Sequence, residues 1–550
     1  MASPHEKSFA EREKYATDGS DVDAPEKGSI GQNGPHTRLA RELKNRHVAM
    51  ISIGGVIGTG LFLGTANALR DGGPIGLLLG YMLMGSLCWS VMVSLGEMVS
   101  YLPIPGGHIK LAERFVDPAL SFAMGWNYWY NWTILLPTEL SAAAILIEFW
   151  TKSDKLNPAW ISICFIVVLV INLFGAGAYG EAEFIFASIK VLTIVGLIIL
   201  GIVLDLGGGP SRDRIGFRYW LNPGPFAQYN GIQGTTGQFL GWWSVVTQAA
   251  FSFIGTEIVA IAAGEAKNPR RNIPRAIKRV YIRILLFYIG GTFIIGLLVP
   301  YNEPSLRLEN SPDGTSTGTS PFVIAIRNAG IDGLPSVINA ALLTSAWSAA
   351  SSDLYTSSRA LYGLGAAGNA PSFVMRTTKR GLPWVAIAIG ASFSGLAYMV
   401  VSAGAGRVFV WFQNMTSVAG LMTWFGISVT YLRFYAGLKA QGFDRTKMPF
   451  YSNLQPYIAW YSTILSLSIC ILSGWKVFLK GNWASDVFVT NYLPLALFPI
   501  LYFGAKFARK TKIVRIEAMD FVTGLDEVEA DSFEEPPPKN KFEAFWRWLM

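Results

Sequence analysis

The sequence predicts an all-α polytopic membrane protein, and three observations carry that prediction. Of the 550 residues, 15% are charged and 51% hydrophobic, whereas a soluble chain is about 25% charged. The apolar residues gather into repeated runs near 20 residues, long enough to cross a hydrocarbon core of about 30 Å as helices. Lysine and arginine collect in every second connection between those runs, the pattern of loops held on one membrane face.

Twelve spans follow, near residues 48–66, 75–99, 119–149, 159–179, 185–204, 240–263, 283–300, 333–362, 383–402, 407–435, 457–478 and 490–507. Arg38, Arg41, Lys44 and Arg46 precede span 1. Lys267, Arg270, Arg271, Arg275, Lys278, Arg279 and Arg283 follow span 6. Arg376, Lys379 and Arg380 follow span 8, and Lys439, Arg445 and Lys447 follow span 10. Connections after odd spans are less basic or mix signs, as with Glu303, Arg307, Glu309 and Asp313. An even count with basic even loops puts both termini in the cytosol. These loops account for the net charge of +8, so nucleic acid is not an expected partner. The polar first 47 residues contain no cleavable signal pattern, so span 1 is expected to direct insertion.

Both tails read as disordered from composition. Residues 517–535 carry eight acidic residues and no basic one, expected to be a solvated run. The final FEAFWRWLM would suit a short helix lying among membrane lipids at the interface. Cys88, Cys164 and Cys470 all fall inside apolar runs, so no disulfide framework is implied.

Ionisable residues inside spans are the best functional pointers, since each costs about 3 kcal/mol or more at the bilayer centre unless paired or hydrated. Glu139 (span 3), Lys190 (span 5) and Glu257 (span 6) stand out, with Glu97 at the end of span 2. Each could instead be a buried pair that orients helices. The four histidines, His5, His36, His47 and His108, all lie outside the spans. A histidine-based membrane hydrolase therefore has no catalytic base in its core, and no enzyme is expected. No metal-ligand spacing or phosphate-cradling loop appears, so neither metal nor other cofactor is expected.

Span 1 opens on SIGGVIGTG, residues 52–60. Glycine in a helix costs about 1 kcal/mol relative to alanine. Gly54 with Gly58, and Gly60 with Gly64, form GxxxG spacings that suit close helix packing. Gly58-Thr59-Gly60 also suits a break in the helix, tolerated at membrane depth only where it lines a cavity. Span 6 carries FSFIGTE, with Gly255 among Ser252, Thr256 and Glu257. Spans 1 and 6 each open a set of five, and paired interruptions in corresponding positions point to an inverted-repeat transporter with its site at the midplane.

At these residues the chain resembles the fungal amino acid permeases, the yeast amino acid transporter family of the amino acid–polyamine–organocation superfamily. The motifs RHVAMISIGGVIGTGLFLG, GEMVSYLPIPGG, GWNYWYNW, GGGPSRDRIGFRYW, FSFIGTEIVAIAAGEAKNPRRNIPRAIKRV and SAWSAASSDLYTSSRALYGLG carry the resemblance, over nearly all of residues 36–507. It implies a LeuT-type fold of 12 transmembrane helices: a five-plus-five inverted repeat plus two C-terminal helices. The expected organisation is a cytosolic tail (1–47), first repeat (48–204), extracellular loop (205–239), second repeat (240–437), a loop with helices 11–12 (438–507) and a cytosolic tail (508–550).

The resemblance also implies a site. Backbone N–H groups of Gly58, Thr59 and Gly60 would hold a substrate carboxylate, and carbonyls of Val56, Phe253 and Ile254 its ammonium. Phe251, or as second choice Phe253, would close over the substrate, with Ser252 and Gly255 in the same break. Side-chain selectivity would arise near Glu139, Ser345 and Thr416. Lys190 matches the position where some relatives carry a lysine in place of bound sodium. Proton symport is expected, with Lys190, Glu139 and Glu257 as candidate protonated groups. The expected function is proton-coupled amino acid uptake across the plasma membrane, of broad or neutral/acidic selectivity, with a non-transporting receptor of the same fold as the alternative. Lys7, Lys14 and Lys27 are candidate acceptors for ubiquitin ligase machinery, or solubilising charges. Several yeast relatives end in a lipidated cysteine; here neither tail contains one.

Overall fold

A computed structural model describes residues 50, 54, 57–104, 106–151, 153–210, 212–258, 269–306, 319–523, 525 and 540. The tail lysines, Val56 and the terminal aromatic segment lie outside the described residues. Among those described there is no strand, and each of the twelve expected spans contains helix. The main helices are α1 (Thr65–Tyr101), α2 (Gly107–Phe115), α3 (Pro118–Thr151), α4 (Asn157–Leu173), α5 (Ala176–Asp205), α6 (Gly234–Phe253), α7 (Pro269–Arg283), α8 (Leu334–Ala366), α9 (Trp384–Ser392), α10 (Ala405–Ala440), α11 (Tyr457–Leu472) and α12 (Ser485–Arg509). Seven helical stretches among the described residues are long and apolar enough to cross a membrane.

Local chemistry explains where helix boundaries differ from expectation. Spans 1 and 2 both fall on α1 and its leading π-helical turn, Gly60–Gly64, and are divided at Gly73. Gly73 has φ +72°, and a Cβ there would lie 2.7 Å from the Ala227 nitrogen. The 225–227 loop is pinned against it: Ile75 N–H donates to the Pro225 carbonyl (3.0 Å) and Ala227 N–H to that of Gly72 (3.2 Å). Span 5 begins at Ala176 rather than near 185. The stretch between the expected spans, 180–184, is helical, and the chain turns instead at Gly175, with φ +94°. The helix gains two turns and brings Glu183 into the same buried face as Lys190, seven residues on.

Burial sorts the helices. The apolar window of α3 is 94% buried and that of α12 only 22%, so α3 is central and α12 peripheral. α3 packs along α8 and α10, and α1 along α6. The buried residues of α8 include Ser345, Ala346, Ser348, Ala349 and Ser352, small side chains that let helix backbones approach closely. α5 shows the two environments at once: Glu183, Lys190 and Leu197 are buried, while Ile185, Leu192 and Ile199 are exposed on the outer face. Large apolar side chains facing outward on membrane-length helices are what a lipid surface demands.

At one end of the bundle the chain after α12 departs from the expected solvated tail. Residues 517–523, the start of the acidic run, belong to a strap seated on α2 and α10. Phe521 is 1% exposed and packs on the rings of Phe115 (5.1 Å) and Phe434 (5.6 Å). The main chain is gripped as well. Val514 N–H donates to the Val116 carbonyl, Arg433 donates to that of Val514, and Gln441 to that of Met519 (2.8 Å). Arg114 donates to the carbonyls of Asp520 (2.5 Å) and Thr523 (2.9 Å). Partial burial pushes the Asp520 carboxyl up, but N–H groups of Thr523 and Val522, with Arg114 nearby, bring it down to about 2. Composition missed this docking because two side chains, Met519 and Phe521, supply the buried surface. Phe521→Ala should remove about 3 kcal/mol of docking and make residues 512–523 newly cleavable in limited proteolysis while the bundle stays intact.

Candidate functional site

Two breaks in the helical backbone meet at the centre of the bundle. The first runs through Gly58, which is non-helical and half-buried, before the chain turns at Thr59 into the π-helical segment. The second ends α6: Ile254 is extended (φ −62°, ψ 147°) and Gly255 has φ +87°, a conformation that favours glycine over residues with a Cβ. The breaks touch. A Cβ on Gly60 would lie 2.9 Å from both Cα and Oγ of Ser252, so only glycine lets these backbones come together.

A cavity opens between the breaks. Gly58, Gly60, Phe251, Ser252, Ile254 and Glu139, all anticipated from sequence, line it. Phe251 is in the wall and packs edge-on against Phe409 (5.8 Å). Phe253 is outside it, fully buried and stacked on Tyr288 at 4.5 Å. Its carbonyl already accepts from the Thr256 hydroxyl (2.6 Å). Ser252 Oγ shares a hydrogen bond with the Tyr81 hydroxyl (2.9 Å).

Glu139 is 3% exposed. Its Oε1 accepts a long bond from Thr59 N–H (3.5 Å), and a Cβ on Gly58 would lie 2.9 Å from that same oxygen. Its Oε2 has no hydrogen-bond partner. Lys190 does not line the cavity. Its ammonium donates to the Gly54 carbonyl (3.4 Å) and sits 4.0 Å from Glu183, while Ser348 Oγ donates to the other Glu183 oxygen (2.6 Å). The lysine thus ties the first break to α5 and α8. Gly54 itself packs on Ala187, where a Cβ would meet the alanine Cβ at 2.7 Å, so close packing accounts for this glycine.

Other anticipated residues lie apart. Glu257 is fully buried and accepts from Trp424 Nε1 (3.1 Å), away from the cavity wall. Thr416 bonds back to the Phe412 carbonyl of its own helix (2.8 Å). Ser345 donates to the Ile57 carbonyl (3.4 Å) and so supports the break rather than the wall. Sequence reasoning missed Asp353 and Glu183. Asp353 lines the cavity and is 4% exposed. A carboxylate inside an apolar span was its available signal. Glu183 was hidden by the misplaced start of α5.

A bundle of membrane-length helices with a cavity between two broken helices, mostly apolar but holding Glu139 and Asp353, defines a carrier of small solutes. The chain belongs to the amino acid permease family, whose family model matches residues 47–518. It is 42% identical over 525 residues to a proline-specific permease of Emericella nidulans, covering 94% of this chain and 95% of that one. It is 41% identical to a dicarboxylic amino acid permease (89% and 80% covered) and 40% identical to a lysine-specific permease (92% and 82%), both of Saccharomyces cerevisiae. The protein is therefore a multi-pass membrane protein that transports amino acids, and not an enzyme.

The glycines separate by their surroundings. Gly60→Ala, facing backbone at 2.9 Å, should abolish uptake of a labelled amino acid at equal surface amount. Gly64→Ala, whose Cβ would meet only Gln413 Nε2 at 3.5 Å, should retain most of it.

Proposed function

We propose that this permease imports amino acids across the plasma membrane together with protons. The observation that carries the reading is the meeting of the two breaks at a cavity walled by Glu139. An amino acid zwitterion presents one anionic and one cationic end, and interrupted helices present N–H groups to the first and carbonyls to the second. Gly58, Thr59 and Gly60 receive the α-carboxylate. The Thr59–Glu139 bond, at 3.5 Å, is at the weak limit, so the substrate carboxylate takes over Thr59 N–H and releases Glu139. Ile254, with Val56, supplies carbonyls for the α-ammonium and Phe251 closes over the substrate; the Phe253 carbonyl, engaged by the Thr256 hydroxyl, drops out.

Twelve spans in a five-plus-five arrangement, with repeats at 48–204 and 240–437 and both termini cytosolic, fit this reading. The alternation of basic loops supports it. Lys190, held between Gly54 and Glu183, supplies a fixed positive charge that makes a sodium ion redundant. Coupling to protons then falls to the buried carboxylates; the position of Glu257 outside the cavity makes it the weakest of the three candidates.

Neutral substrates suit the cavity best. No lysine or arginine lines it among the described residues, so a second substrate carboxylate would meet Glu139 and Asp353 without a cation to pair with. The relatives' names do not decide the matter, since proline-specific, dicarboxylic and lysine-specific permeases stand within two percentage points of identity.

A yeast lacking its own permeases and expressing this chain should accumulate labelled neutral amino acids, faster at acid than at neutral external pH, and a protonophore should abolish the accumulation. Sensing of amino acids without accumulation would instead identify a receptor.

A further inference from the structure

We infer that Asp353 is the group that carries the transported proton. The inference rests on proton coupling as proposed above and assigns it to a residue outside the three candidates named from sequence. α8 places Asp353 in the cavity wall, 4% exposed. Its Oδ2 has no hydrogen-bond partner, and no cation stands within ion-pair distance of it among the described residues. A carboxylate oxygen buried without a partner in the wall of such a cavity is costly unless neutralised.

The charges that act on Asp353 come from two other helices: Glu139 on α3, and Glu183 and Lys190 on α5. On α8 itself, Ser352 Oγ is engaged with the Tyr179 hydroxyl (3.0 Å), and Tyr355 lies stacked on Tyr179 at 3.9 Å with the Arg359 guanidinium over its ring, 3.3 Å from the centroid. The one ammonium of this group is committed. Lys190 serves Glu183 and the Gly54 carbonyl, and Glu183 is further held by Ser348. That pair is neutral and fixed. Two carboxylates, Glu139 and Asp353, remain facing one cavity with no cation left to balance them.

Their roles differ by geometry. Glu139 is bonded to Thr59 and packed on Gly58, so its state changes with substrate binding. Asp353 is bound to neither break. A proton arriving from outside adds to Oδ2 and forms the carboxylic acid. Loading of the zwitterion adds no net charge, so the loaded cavity carries one negative charge, that of Glu139, instead of two. When the cavity opens inward, the acid releases its proton to cytosolic water and Asp353 returns to the carboxylate. No other bond forms or breaks.

The test compares two modes of transport in vesicles containing the full chain, with a labelled neutral amino acid as probe. Uptake driven by an inward proton gradient reads coupling. Counterflow into preloaded vesicles needs binding and the conformational cycle but no net proton movement. For Asp353→Asn, stimulation by the gradient should be lost while counterflow persists. Glu139→Gln should impair both modes. Gradient-driven accumulation by Asp353→Asn would overturn the inference, as would loss of counterflow in correctly inserted protein. Should that variant fail to insert, Asp353→Glu decides: it should stay gradient-driven with a displaced pH midpoint, and an unmoved midpoint would overturn the assignment. A wild-type chain indifferent to the gradient would instead refute proton coupling itself.

Discussion

The structure depends on one constraint: backbone polar groups inside a membrane must find partners, so a helix can be broken only where something replaces the lost bonds. Here the two breaks are placed against each other, and Gly60 is the residue that permits it, with the Ser252 backbone where its Cβ would be. Around that contact the other elements make sense. Lys190 reaches across to the Gly54 carbonyl, Ser345 to that of Ile57, and Glu139 to Thr59 N–H. Each supports backbone that a continuous helix would have satisfied by itself. The small side chains of α8 and the depth of α3 follow, because long side chains at this level would hold the breaks and their supports apart.

The same arrangement concentrates charge. Three carboxylates and one ammonium are buried together on α3, α5 and α8. Such a set is a poor way to stabilise a membrane protein, since unpaired buried charges cost more than apolar packing would. Its retention makes sense as a device that holds ligands of definite charge in turn.

Much of the fold was legible in the sequence, since apolar runs and basic loops are direct consequences of the bilayer. The breaks were legible too, through glycine in span 1 and a glycine among polar residues in span 6. What escaped detection did so for local reasons. Residues 180–184, between two expected spans, are helical and the chain turns at Gly175 instead, and Glu183 was lost with them. Asp353 was overshadowed by the serines around it. Phe251 and Phe253, two residues apart, could be separated only once α6 was seen to direct one to the cavity and the other onto Tyr288.

The strap after α12 carries a different consequence. It is held by two buried side chains, by the Val514 N–H and an Asp520–Arg114 ion pair, and for the rest through its carbonyls, by Arg114, Arg433 and Gln441. Carbonyls are common to every residue type, so the information for this contact is written more in the receiving helices than in the strap. The segment is free to drift in evolution, and even to acquire its acidic surplus, as long as Met519 and Phe521 keep their places and the three receiving side chains persist.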